Sequence, residues 1–214
     1  MKKIKSAIII TLLIAISTFI LSIIHNEGVY NRTDEIKYND TIDLTEYKNK
    51  NVNSVPLIMQ YDKRWRDKTY AGDFMKNSGC GPTCLSMVSI YLLKNTKFSP
   101  LYIADFAENN GYSINGNGSK WTLISEGGNA LGLDVKELPL DKNIIITHLK
   151  NKDPIICVMG PGDFTTTGHF IVMTGLTDNN KIMINDPNSR KNSKKLWEYD
   201  DIYEQIRNLW VCTV

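Results

Sequence analysis

An apolar run between positions 82 and 93 carries the clearest hydrophobic pattern in the chain. Leu85, Val88 and Leu92 share one face of a helix of about 3.6 residues per turn. The other faces are also mostly apolar, and only two serines interrupt them. Because a helix that is apolar on nearly every side must be covered by other elements, the pattern predicts a buried helix over 82–93.

After this run, the pattern changes from helical to strand-like along the chain. Further helices are predicted at 99–110, at 119–131 with Gly132 as the stop, and at 142–151. Short strands rich in Ile, Val and Met are predicted at 154–159, 169–176, 181–185 and 209–213. Helices first and strands afterwards predict an α+β fold, in which the buried N-terminal helix packs against an antiparallel β-sheet.

The N-terminal residues have a different character. Residues 1–6 are rich in lysine, and residues 7–24 carry no charge over a length that spans about 27 Å as a helix. This pattern predicts a transmembrane signal anchor at 7–24, with residues 1–6 cytoplasmic and the rest of the chain extracellular. A cleaved secretory signal, which leaves a secreted protein, is the competing interpretation, although no Ala-x-Ala-like site follows.

Residues 25–54 are polar and predict a linker between the anchor and a folded domain at 55–214. Alternating apolar positions between Ile36 and Leu44 also fit a short strand. The whole chain of 214 residues is 42% hydrophobic, which is enough for one buried core. Its formal net charge is +2 without a basic stripe, so nothing indicates nucleic acid as a partner.

Candidate chemistry begins where the buried helix starts, in the sequence GCGPTC at 79–84. Proline is favoured in a first helical turn and restricts the residue before it, so the helix should begin at about Gly81 or Pro82. Cys80 then lies at the N-terminus of the helix, called the helix mouth below, where unpaired N–H groups and the helix dipole stabilise a thiolate. Cys80 is therefore the candidate nucleophile.

A nucleophilic thiol needs a proton partner, and the chain has three histidines. His25 lies beside the predicted anchor, and His148 lies in an amphipathic helix, where a surface or packing role is expected. His169 follows a glycine at the start of a predicted strand, from which it can face a helix end. An isolated histidine there is usually structural, but beside Cys80 it becomes the candidate general acid and base.

Asp186, in NDPNS at 185–189, follows the next predicted strand. A two-residue turn at Asp178 and Asn179 places Asp186 opposite Ile171, diagonal to His169 and on the same face. A loop one residue longer puts the two on opposite faces unless a β-bulge intervenes. Asp186 is the candidate partner that orients the imidazole, while an aspartate in a turn before proline is the ordinary alternative.

An oxyanion that forms during acyl transfer needs hydrogen-bond donors. The backbone N–H of Cys80 is one candidate, and the side chain of Gln60, in VPLIMQYDKRW at 55–65, is the second. Glutamine by itself is more often a surface residue.

These segments together resemble the bacteriocin-processing-peptidase-like (double-glycine peptidase-like) families of papain-like cysteine peptidases. The similarity extends over about residues 55–214 and rests on VPLIMQYDKRW, YAG, GCGPTCLSMV, GHFIVMTG and NDPNS, in that order. It implies a papain-like fold. It also implies the roles of nucleophile, general acid and base, orienting partner and oxyanion-hole residue for Cys80, His169, Asp186 and Gln60.

The chain departs from that family in two respects. Processing members are usually fused to an export transporter and face the cytosol, whereas this chain has one predicted membrane segment, no ATPase signature and an outward-facing domain. Cleavage of leader peptides is therefore not carried over. The expected function is a membrane-anchored cysteine peptidase acting on a peptide or protein without metal or organic cofactor. The alternatives are a cell-wall peptide amide hydrolase and a non-catalytic peptide-binding module.

The other cysteines are expected to be structural. Cys84 lies one turn below Cys80, too far for an easy disulfide, and is interpreted as a packing thiol. Cys157 and Cys212 lie in predicted strands and are either two buried thiols or a disulfide. A zinc site formed with histidines is disfavoured because Cys-x-x-x-Cys lacks the usual ligand spacing.

The loop GYSINGNGSKW at 111–121 precedes the predicted helix at 119–131. Asn117 and Trp121 are the candidate substrate-binding residues, because such loops often border clefts. The competing interpretation is a plain connector in which Ser119 caps the helix.

Overall fold

The computed structural model describes Leu44, Glu46, Tyr47 and residues 54–214. These residues belong to one compact unit, Ile42–Val214. The predicted cytoplasmic segment 1–6, the predicted anchor 7–24 and most of the predicted linker 25–54 lie outside the described residues. Within the described part of the chain, no helix is both long and apolar enough to cross a membrane.

Helices dominate the first half of this unit. The α-helices are α1 Met75–Ser78, α2 Cys80–Leu93, α3 Pro100–Asn109, α4 Gly128–Ala130, α5 Lys142–Lys150, α6 Arg190–Lys194 and α7 Tyr199–Ile202. A π-helical segment, Leu123–Gly127, leads into α4, and a 3-10 turn, Tyr203–Gln205, follows α7. The predicted helices at 82–93, 99–110 and 142–151 correspond to α2, α3 and α5.

Strands dominate the second half. Two small hairpins, β1 Thr69–Tyr70 with β2 Asp73–Phe74 and β3 Ser113–Ile114 with β4 Gly118–Ser119, precede the main sheet. The main sheet is antiparallel, with the order β5-β10-β6-β7-β8-β9. Its strands are β5 Asp134–Glu137, β6 Ile155–Met159, β7 His169–Leu176, β8 Ile182–Asn185, β9 Leu196–Trp197 and β10 Ile206–Thr213.

The central strands of the main sheet carry apolar side chains on both faces. Because these side chains must be buried, other elements cover both faces of the sheet. Ile156, Phe170 and Val172 point toward α2 and α3, where a large apolar cluster forms the main core. On the opposite face, neighbouring strand residues pack with Ile145 and Leu149 of α5. Helix α2 has a continuous run of buried residues over its first three turns, so the predicted buried helix against an antiparallel sheet is confirmed.

The helix predicted at 119–131 begins later than expected. Gly118 and Ser119 pair with Ile114 and Ser113 as strand β4, and helical structure starts only around Thr122. The hydroxyl of Ser119 lies 2.7 Å from the hydroxyl of Tyr70, a tertiary contact, so its predicted role as helix cap is wrong. The predicted stop at Gly132 agrees with the structure, since Gly132 has a φ of +97° after the helix.

The described part of the predicted linker contacts the folded domain. Leu44 is buried in the main core, and Tyr47 packs against it. Glu46 forms an ion pair with Arg64 at 3.0 Å. The boundary at residue 55 stays a prediction, but these residues show that part of the segment before it packs with the domain.

Candidate active site

Cys80 is the first residue of α2 and is half-buried. The next residue, Gly81, allows the β3–β4 hairpin to approach the helix mouth closely. A Cβ atom at Gly81 would lie against the Ser119 hydroxyl and 2.7 Å from the Ser119 Cβ. Glycine is therefore required by this close approach, and it keeps the helix start and the hairpin in contact beside the thiol.

His169 is the first residue of β7, and only 7% of it is exposed. Its ring interacts with the Cys80 thiol on one side. On the other side, its Nε2 lies 2.8 Å from Asp186 Oδ1. Because Nε2 contacts the carboxylate, Nδ1 is the ring nitrogen left to face the sulfur.

Asp186 directly follows β8 and is 1% exposed. Its Oδ1 accepts hydrogen bonds from His169 and, at 2.8 Å, from the backbone N–H of Asn188. Its Oδ2 accepts a hydrogen bond from Asn192 Nδ2, also at 2.8 Å. A buried carboxylate is tolerated only when its oxygens are hydrogen-bonded, and here both are.

The loop between β7 and β8 is longer than the predicted two-residue turn. Thr177 N–H donates to the Lys181 carbonyl at 2.9 Å, which leaves a three-residue loop whose last residue, Asn180, has a φ of +58°. A β-bulge between Met173 and Gly175 then shifts the register back by one residue. The two-residue turn is wrong, but the bulge compensates for it.

Beyond the bulge, Val172 pairs with Asn185, so Asp186 lies alongside Ile171 and diagonal to His169. The expected proximity of the carboxylate and the imidazole therefore exists, and it depends on the bulge.

The electrostatics of the site favour charge separation. Burial alone would raise the pKa of the Cys80 thiol, but the hydrogen bond and positive charge of His169 hold that pKa below its usual value. The backbone N–H groups of Phe170 and Gly81 act in the same direction. Burial would lower the pKa of His169, but Asp186 and Cys80 raise it well above its usual value. The arrangement thus stabilises a thiolate and imidazolium pair.

Gln60 is 2% exposed and bridges the two sides of the site. Its backbone N–H donates to the Pro187 carbonyl at 2.9 Å, next to Asp186. Its side-chain Nε2 donates to the Lys76 carbonyl at 2.8 Å, four residues before Cys80. Its Oε1 is buried without a partner among the described residues. The alternative of an ordinary surface glutamine is therefore wrong.

Asn117 and Trp121 are both exposed. Asn117 precedes Gly118, where a Cβ atom would lie 3.4 Å from the Ser78 carbonyl oxygen, so this loop borders the helix mouth. Trp121 makes an edge-to-face contact with Trp210, with ring centroids 6.0 Å apart. Their role in substrate binding stays a prediction.

The remaining histidine and cysteines that the structure describes lie apart from this chemistry. His148 contacts Asp153 through Nδ1 at 3.0 Å. Cys84 is a fully buried free thiol, and burial followed by the nearby Cys80 raises its pKa well above the usual value. Within the described residues, no group of three or more possible ligands forms a metal site.

Cys157 and Cys212 are free thiols on opposite faces of the main sheet. This placement separates their side chains and explains why they are not bonded. The prediction of two buried thiols is confirmed for this structure, and the disulfide alternative is wrong.

Sequence reasoning missed Asn192 as a neighbour of the site. It lies in α6, which Ser189 caps through a hydrogen bond from Asn192 N–H at 3.1 Å. The signal was present as a serine three positions before Asn192, but a five-residue helix is too short for a hydrophobic pattern to reveal.

The fold and its helix-mouth cysteine define the architecture of papain-like cysteine peptidases. The family profile agrees: residues 52–213 match the Peptidase_C39 like family, and the chain belongs to that family. Among solved structures, the chain is similar to the peptidase domain of Streptococcus ComA, described as a bi-functional ABC transporter involved in a quorum-sensing pathway. The two share 20% identity over 74% of this chain and 98% of that one, with a TM-score of 0.49. No curated protein matches the chain.

Proposed function

We propose that this chain is a membrane-anchored, outward-facing cysteine peptidase with a catalytic triad of Cys80, His169 and Asp186. The supporting observation is that the His169 ring interacts with the Cys80 thiol on one side and lies 2.8 Å from the Asp186 carboxylate on the other. Membership of a peptidase family supports the same class of chemistry. The three groups supply a nucleophile, a proton carrier and an orienting anion.

In the proposed mechanism, the Cys80 thiolate attacks the carbonyl carbon of a peptide bond. The negative charge moves to the carbonyl oxygen, and the His169 imidazolium then protonates the departing amine. The neutral imidazole next removes a proton from water, which attacks the thioester and releases the acyl group. Asp186 holds the ring in one orientation throughout.

Two donors are proposed for the oxyanion. The Cys80 N–H lies in the first turn of α2, where backbone donors have no partner within the helix. Gln60 Nε2 carries two protons, and only one is used by the Lys76 carbonyl. The buried position of Gln60 between the helix mouth and the Asp186 segment supports this role.

The anchor at 7–24 and the outward orientation rest on the uncharged stretch and the lysines before it. Protease treatment of intact cells that express the full chain tests this part. Digestion of residues 55–214 without lysis is expected. Protection until lysis would contradict the outward orientation.

Hydrolysis is tested with the full chain in detergent, incubated separately with a peptide library and with purified cell-wall material. Mass spectrometry then detects newly formed amines and identifies which substrate class is cleaved. Cys80→Ala is expected to lower the rate about a thousandfold or more. The matched control is Cys84→Ala, which removes a thiol one turn away and should retain most activity. Binding of peptides without any Cys80-dependent cleavage would instead identify a binding module.

A further inference from the structure

The second oxygen of the Asp186 carboxylate contacts a side chain outside the proposed triad. We propose that Asn192 is a positioning residue, which holds this carboxylate so that its other oxygen faces His169. The inference rests on the proposed function and adds a fourth side chain to that same site. The distance between Asn192 Nδ2 and Asp186 Oδ2 is 2.8 Å.

The two carboxylate oxygens have different partners. Oδ1 accepts from His169 Nε2 and from the Asn188 N–H, each at 2.8 Å. Oδ2 accepts the amide proton of Asn192. Rotation of the carboxylate about its own axis would therefore break contacts on both oxygens, and Asn192 is the side chain that resists this rotation from the side away from His169.

Asn192 is itself held in place by its surroundings. Its backbone N–H donates to Ser189 Oγ at 3.1 Å, and its carbonyl accepts from Trp197 Nε1 at 3.1 Å. The next residue, Ser193, accepts a hydrogen bond from the Asp186 backbone N–H at 3.0 Å. Helix α6 and the Asp186 segment are thus linked by both a backbone and a side-chain contact.

The chemistry of an amide suits this position. A primary amide donates a hydrogen bond but does not titrate, so it orients the Asp186 carboxylate without changing its charge. A buried carboxylate oxygen without a donor is costly and tends to rotate toward another one. Such a rotation would release the His169 ring, and small displacements of catalytic groups cost large factors in rate.

Two variants of the full chain separate orientation from simple packing. Asn192→Leu keeps nearly the same size but removes the donor. It is expected to lower both peptide hydrolysis and the iodoacetamide labelling rate of Cys80 by about tenfold to a hundredfold. The matched control, Asn179→Leu, changes an exposed asparagine at the opposite end of the β7–β8 hairpin and should leave both rates unchanged.

Asn192→Asp provides a readout that packing alone would not move. While the introduced carboxyl group is protonated, it donates to Asp186 as the amide does. As the pH rises and that proton leaves, two carboxylates repel each other. Burial and the neighbouring Asp186 charge raise the pKa of the introduced carboxyl group, so the rate relative to wild type is expected to be closest to one at the acid end of the profile and to fall as the pH rises.

Several charged groups surround the introduced carboxyl group and enter the interpretation of that profile. Asp186 is the nearest of them, with His169 and then Cys80 beyond it. The backbone oxygen of Asp163 lies 3.4 Å from Asn192 Nδ2. On α6 and at its end, the charged groups are the exposed Lys191 and Lys195. All of these groups are common to the wild type and the variant, so the difference between the two pH profiles reports on the introduced carboxyl group.

The outcomes are distinguishable. Wild-type rates in a folded Asn192→Leu protein, or an equal and pH-independent loss in both variants, would overturn the positioning role. Absence of hydrolysis by the wild-type chain on every substrate would instead count against the proposed peptidase. The labelling rate of Cys80 still reports on Asn192 in that case, since it requires no turnover.

Discussion

The helix mouth and the strand ends form the two sides of the candidate site, and they are built in different ways. Cys80 is placed by its immediate neighbours, because α2 begins at Cys80 itself, slightly earlier than the predicted Gly81 or Pro82, and Gly81 lets the hairpin approach it. His169 and Asp186 are 17 residues apart in sequence, and they meet only because a bulge corrects the register of two strands. The position of Cys80 depends on local helix geometry, whereas the meeting of His169 and Asp186 depends on how two strands pair.

The two sides also contribute differently to the reactivity of Cys80. Cys84 lies on the same helix, one turn further from its mouth, and burial raises its pKa. Burial acts on Cys80 as well, and the first opposing influences are the hydrogen bond and charge of His169. Among the groups that lower the pKa of Cys80, His169 and the Phe170 N–H on the strand side come before the Gly81 N–H at the helix mouth.

The largest effect on this comparison is expected from the variant His169→Ala. Without the imidazolium, burial is expected to raise the pKa of Cys80 above its usual value. Iodoacetamide labelling of Cys80 at neutral pH should then slow on the order of a hundredfold, while its rate recovers as the pH rises. In the wild type, the lowered pKa of Cys80 keeps its labelling fast at neutral pH, and the labelling rate falls only under acid conditions.

Mass spectrometry of the labelled cysteines supplies the control for this test, because the buried Cys84, Cys157 and Cys212 should react far more slowly in the folded chain. Unchanged labelling of Cys80 in the His169→Ala variant would show that the helix mouth alone lowers the pKa.

A smaller effect is expected from Gly81→Ala, which disturbs only the helix side. The added methyl group would collide with Ser119 of the neighbouring hairpin. The free energy of unfolding should decrease by about 1 to 3 kcal/mol, as for other overpacked sites. Chemical denaturation measures the change.

The double variant Gly81→Ala with Ser119→Gly tests the cause of that loss. It removes the collision and should recover most of the stability, apart from the lost contact with the Tyr70 hydroxyl. No recovery would mean that Gly81 is needed for another reason.

The smallest effect is expected from Gly175→Ala, which disturbs only the strand side. Gly175 adopts a φ of +156° in the bulge, and a Cβ atom there would lie 3.1 Å from Met183 Cε. The backbone strain should lower the free energy of unfolding by about 1 kcal/mol, measured by thermal or chemical denaturation.

Gly168→Ala is the matched control just before the start of β7, where a Cβ atom meets open space. An equal decrease in the free energy of unfolding in the two variants would contradict a special role of the bulge.

The fold was predictable wherever a residue pattern is local. The apolar run predicts α2, the helices predicted at 99–110 and 142–151 correspond to α3 and α5, and Ile- and Val-rich segments predict the central strands. Strands β5 and β9 escaped prediction because each has one buried side chain and lies at an edge of the sheet. Ser119 was misjudged because its hydroxyl contacts Tyr70, a residue 49 positions away, instead of a helix end.

Cys80, His169 and Asp186 were readable as candidates from the chain, since residue type and neighbouring glycines and prolines are properties of short segments, whereas Gln60 became a candidate mainly through the family resemblance. Their mutual geometry was not readable, because it depends on the length of one loop, the position of one bulge and the burial of Gln60 between distant elements. Asn192 illustrates the same division. Its local sequence offers only the capping serine three positions before it, and the packing of α6 against the end of β8 brings its amide to the Asp186 carboxylate.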